Sequence, residues 1–141
     1  MQPKLTAEEV SEYLSEVFPL AAGFVRIEAV GPMTARVRVP VSERNLRPGG
    51  TVSGPTMFTL ADTAFYVATM AMIGREALTV TTSLTINFLS KPPAADIVGH
   101  ARILKLGRLL SVGEVTIWSD GRSDGPVAHA AVTYAIPPRR A

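Results

Sequence analysis

The sequence predicts an α+β fold in which one long central helix is wrapped by a curved antiparallel β-sheet, and three observations carry that prediction. Val52 to Ile73 is almost wholly apolar, with Thr59, Asp62, Thr63 and Tyr66 at the i, i+3, i+4, i+7 spacing of a single helical stripe. Four strand-like runs follow it in succession, "LTVTTSLTINFL", "IVGHARILKL", "SVGEVTIWS" and "PVAHAAVTYAI". Two alternating runs before it, "FVRIEAVG" and "TARVRVPV", flank the turn "GPM" as in a hairpin. An apolar helix needs a cover, and consecutive strands supply one as an antiparallel sheet.

The elements follow in chain order. A first helix spans about Thr6 to Val17, opened by a capping box in which Thr6 and Glu9 satisfy each other's backbone N–H groups. After the hairpin, Pro48, Gly49 and Gly50 make a loop. Ser53 or Gly54 then caps the long helix, Pro55 suits its first turn, and Gly74 stops it. In the strand that follows, Thr79, Thr81, Ser83, Thr85 and Asn87 form one polar face, opposite Leu78, Val80, Leu84, Ile86 and Phe88. With 141 residues, 47% of them hydrophobic and 18% charged, and with no internal repeat, residues 1–141 form a single domain with a real core.

Composition excludes several functions. The net charge of +2 comes from scattered Lys and Arg, with one tight basic cluster in the terminal "PPRRA", so nucleic acid is not the expected partner. The absence of cysteine removes disulfides, thiolate metal sites and a Cys nucleophile, and with only two histidines a zinc site is not expected. Glu and Lys stand where a signal peptide needs an apolar core, so the expected compartment is the cytoplasm. Pro55 to Ile73 approaches membrane-spanning length, but Asp62 and four threonines interrupt it, and no membrane association is expected.

Of the motifs, "GRSDG" fits the G-x-S-x-G pattern of serine hydrolases, but a strand rather than a helix follows it, so it reads as a hairpin turn. His100 and His129 read as sheet residues. Asp62 is different: an unpartnered buried carboxylate costs several kcal/mol, so it needs either hydrogen bonds or a task. Eight residues upstream, Gly54 offers a backbone N–H at a helix N-terminus, where the free amides and dipole favour a developing oxyanion. A carboxylate and an oxyanion donor are two parts of acyl-transfer chemistry.

"GTVSGPTMFTLADTAF", followed by "LTINFLSKPP", "AADIVGHARIL" and "LGR", resembles the hotdog-fold acyl-CoA thioesterases of the phenylacetate-degradation (PaaI-like) type over nearly the whole chain. The resemblance implies a hotdog fold and hydrolysis of the thioester of a small or medium acyl-CoA, with coenzyme A as part of the substrate and no cofactor or metal. It places Asp62 on the carboxylate that activates water or attacks directly, Gly54 on the glycine that polarises the thioester carbonyl, Asn45 on a loop asparagine, and Thr81 on a strand hydroxyl that helps hold the water. Ser53, Phe58 and Tyr66 are expected at the substrate, with Met57, Phe65 and Met70 as further candidates for setting pocket length. Where the family usually reads His-Gly-Gly, this chain has Ser53, Gly54 and Pro55, a hydroxyl without charge and one N–H fewer. The alternatives are a non-catalytic acyl-CoA or acyl-carrier binding protein, and a hydratase, which would need a histidine near the helix.

Gly54 and Asp62 lie about 12 Å apart along a helix axis. One chain therefore cannot bring both to a single carbonyl. The expected partner is a second copy, in a homodimer with sites at the interface and a further dimer of dimers, a homotetramer.

Overall fold

The computed structural model describes residues 1–122 and 124–138; Ser123 of "GRSDG" and the last three residues of "PPRRA" lie outside the described residues. The elements are α1 (Ala7–Val17), α2 (Pro19–Phe24), β1 (Arg26–Gly31), β2 (Thr34–Val39), α3 (Gly54–Ile73), β3 (Val80–Phe88), β4 (Ile97–Leu106), β5 (Leu110–Ser119) and β6 (Ala128–Ala135), with a single 3-10 turn, Glu43–Asn45, before α3. All strand pairings are antiparallel, in the order β1-β2-β4-β5-β6-β3, so the strand that leaves α3 crosses to the far edge of a six-stranded sheet.

Local chemistry sets the helix ends. Thr6 and Glu9 form the predicted capping box of α1. The Ser53 hydroxyl accepts from the Thr56 N–H at 3.2 Å to cap α3, and Gly74, at φ +97°, ends it in a conformation that L side chains rarely adopt. The six-residue α2 was not predicted: "PLAAGF" is too short to show a period, although Pro19 opens it as a first-turn proline.

From Leu60 to Ile73 every residue of α3 except Asp62 is buried, so the helix is the core that the sheet wraps rather than a membrane span. Its fit depends on Gly113 of β5, where an added Cβ would lie 2.6 Å from the Phe65 ring and closer still to the Arg102 carbonyl. The Thr69 hydroxyl meets that of Ser111 at 3.0 Å, satisfying two buried polar groups between α3 and β5.

On the sheet's outer side, Arg38 of β2 binds Glu28 at 2.7 Å, Asp96 at 3.3 Å and also Asp120, while Asp96 accepts the Val41 N–H. The hydrogen bond from Arg38 holds the Glu28 carboxyl below its ordinary range. Because the folded-state pKa is the lower one, this stabilisation is present above the ordinary glutamate value and is lost as pH falls through the folded value. Arg38→Met should therefore cost about 1–2 kcal/mol near pH 7, less than for a fully buried pair because solvent reaches the cluster. The cost should shrink toward pH 3, as urea unfolding at the two pH values would measure.

Candidate active site

Asp62 lies half-buried at the middle of α3, and two hydroxyls converge on one of its oxygens. Thr81 of β3 donates to Oδ1 at 2.6 Å, and the Tyr134 hydroxyl of β6 lies 2.7 Å from Oδ1 and 2.9 Å from the Asp62 backbone carbonyl. No partner for Oδ2 occurs among the described residues, and no cation pairs with this carboxylate there.

The sheet builds this arrangement through a bulge. Thr81 pairs with Tyr134, but Ser83 pairs with Thr133 and Leu84 with Val132, so Thr82 is an extra residue in β3. In a regular register Thr82 would stand opposite Tyr134; the bulge puts Thr81 there and turns its hydroxyl toward α3. The expected single polar face from Thr79 to Asn87 is thereby corrected. Thr81 faces the helix before the bulge, and after it the inward positions pass to Leu84, Ile86 and Phe88, opposite the buried Val132, Ala130 and Ala128.

Beside Asp62 is a cavity of about 250 Å³, whose apolar wall comes from Leu14 and Val17 of α1, Ala21 of α2 and Phe18 between the two helices. Thr63 and Tyr66 of α3 line it too, as does Thr79, whose buried hydroxyl has no partner among the described residues. Burial raises the Tyr66 phenol to about 12 and pushes that of Tyr134 higher still, aided by the adjacent Asp62 charge. Both remain neutral donors across the working range of an ordinary enzyme.

The sequence-predicted residues fall into two groups. Asp62, Thr81 and Tyr66 gather at the cavity, while Gly54, Ser53 and Asn45 gather at the start of α3, roughly 12 Å away along its axis. There, the Asn45 carbonyl accepts from the Ser53 N–H at 2.8 Å, and the Asn45 side chain accepts from the Ser42 N–H at 2.8 Å. The Gly54 N–H has no partner among the described residues, as expected for the first residue of a helix. The Ser53 hydroxyl is engaged at the cap and with Thr56 Oγ1 at 2.7 Å.

Phe58 does not line the cavity. It stands 42% exposed on the outer face of α3, while Met57, Phe65 and Met70 point into the core. The residue that the sequence did not single out is Tyr134. Its only signal was an aromatic in a strand pattern, 72 residues from the carboxylate it touches.

Comparisons with known proteins agree with this fold. The profile of the family described as Thioesterase superfamily matches residues 49–125, from the loop before α3 to the turn before β6. A Silicibacter sp. TM1040 protein, described as a candidate thioesterase, is 47% identical; the match covers 98% of this chain and 96% of that one, with a TM-score of 0.89. Two more distant structures share the fold. Zebrafish thioesterase superfamily member 2 is 22% identical, with 95% and 100% of the two chains covered and a TM-score of 0.80. A single-site mutant of the phenylacetic acid degradation protein PaaI from Thermus thermophilus is 24% identical, with 84% and 99% covered and a TM-score of 0.73. No protein with a curated description matches the chain.

Proposed function

This chain belongs to the thioesterase superfamily and has its hotdog fold, and on that premise we propose that it hydrolyses the thioester of a small or medium acyl-CoA at a site shared by two subunits. The observation that carries the proposal is a carboxylate fixed at one oxygen and free at the other, at the edge of an apolar cavity. Acyl groups of modest size suit a cavity of about 250 Å³, below the usual range for drug-sized ligands.

In the proposed reaction Asp62 Oδ2 takes a proton from water as the water oxygen attacks the thioester carbonyl carbon. Thr81, whose own proton is spent on Oδ1, has lone pairs left to accept from that water. The carbonyl oxygen becomes an oxyanion, stabilised by the N–H of Gly54 of the partner subunit. When the tetrahedral intermediate collapses, the carbon–sulfur bond breaks and the coenzyme A sulfur leaves with the proton held by Asp62. The free acid departs and the carboxylate is restored, with no metal or other cofactor needed. Tyr66 lines the acyl cavity, while Asn45 and Ser53 shape the start of α3 that faces the thioester.

Support for the dimer comes from the β3 edge and from the exposed start of α3. Strand β3 is a sheet edge with a free row of backbone groups, and it carries the exposed Val80 and Phe88. Pro55, Phe58 and Thr59 are exposed on α3 before Asp62. A two-fold axis that pairs two β3 edges sets the α3 helices antiparallel and brings each Gly54 opposite the other chain's Asp62, and two such dimers make the tetramer.

A panel of acyl-CoAs assayed for release of free thiol tests the proposal. Turnover of at least one small or medium acyl-CoA is expected, whereas saturable binding without thiol release would make the chain an acyl-CoA binding protein instead.

A further inference from the structure

We propose that Tyr134 is a positioning residue for this reaction: with Thr81 it fixes Asp62 by Oδ1, so that Oδ2 alone is presented to water. The inference rests on Asp62 being the base, and it goes further by giving Tyr134 the work of orienting that base.

A carboxylate on a helix rotates about its side-chain bonds unless something holds it, and a misplaced base loses much of its value. Asp62 is held by two short hydrogen bonds to the same oxygen, at 2.6 and 2.7 Å. Both donors are neutral hydroxyls. An arginine or lysine in their place would orient the carboxylate equally well but would oppose its protonation and weaken it as a base.

Tyr134 is rigidly placed for this work. It is 3% exposed, and its ring lies 5.7 Å from that of Phe65 and 6.0 Å from that of Tyr66, both on α3. The same hydroxyl reaches the Asp62 backbone carbonyl, so it fixes the carboxylate relative to its own helix. The two donors stand directly opposite each other on β3 and β6, at the one place where the bulge allows it. Thr81, one of the two donors, lies on the β3 edge itself, so pairing of two β3 strands would form the shared site around a base already oriented.

The test is Tyr134→Phe, which keeps the ring and its contacts and removes only the hydroxyl. With an acyl-CoA that the parent turns over, kcat should fall about 10- to 100-fold while KM stays within about 2-fold, because the ring that lines the acyl cavity stays in place. Thr81→Val should show the same split, and the double variant should fall below either single one. Thermal unfolding of each variant serves as the control. A folded Tyr134→Phe with parental kcat, or one whose loss lies in KM, overturns the proposal. If Tyr134→Phe does not fold, parental kcat in folded Thr81→Val overturns it. A parent inactive on every acyl-CoA defeats the acyl-CoA reading itself, and with it this inference, whereas an active parent matched by its variants defeats the inference alone.

Discussion

Asp62→Asn should lose about 10²- to 10⁴-fold in thioester hydrolysis, the value of a positioned general base, while folding as the parent does. The substitution is close to isosteric, and an Asn side-chain oxygen can still accept from Thr81 and Tyr134, the two hydroxyls now on Oδ1. What changes is the other atom: Oδ2 becomes an NH2 group, which cannot take a proton from water. Thiol release followed alongside thermal unfolding separates the two effects. Parental turnover in the variant would leave Asp62 a structural carboxylate satisfied by its hydroxyl partners. Unfolding would point the same way.

Gly54→Val should be nearly as damaging, with kcat lower by about 10²- to 10³-fold, the usual loss when an oxyanion donor is removed or blocked. The backbone N–H survives the substitution, so the effect is steric. A Cβ at this position already lies 3.4 Å from the Phe88 ring, and the two further methyls of valine must extend over the N–H or push that ring aside. Phe88 is itself about half exposed, so displacing it leaves the core untouched. Stability should therefore hold while steady-state turnover collapses. Parental kcat in Gly54→Val would mean that no thioester carbonyl docks there.

Much of this fold was legible because its signals are local. Ser53, Pro55 and Gly74 mark the ends of α3 by capping, first-turn proline and a left-handed stop, each a property of a few consecutive residues. Asp62 stood out for a similar reason, as one carboxylate on an apolar cylinder. The strand order was not legible, because nothing in "LTVTTSLTINFL" says that this strand crosses to pair with the last one. Tyr134 was hidden with it, since it becomes part of the site only through that pairing. The bulge at Thr82 was equally silent: an extra residue leaves the composition unchanged and reverses which side chains face inward. The side on which Phe58 stands was not legible because α3 is apolar nearly all round, so periodicity does not say which apolar side faces the cavity and which faces outward.

The central claim is that each active site takes Asp62 from one chain and Gly54 from another, and mixing inactive subunits tests it most directly. Asp62→Asn and Gly54→Val chains, each inactive alone, are combined under conditions where labelled subunits demonstrably exchange. A mixed dimer holds one site with both wild-type residues and one site with neither. With random pairing at equal amounts, about one quarter of the parental activity should return, since half the dimers are mixed and each has one working site. No recovery despite proven exchange, or full activity in a species that sediments as a monomer, would contradict the shared site.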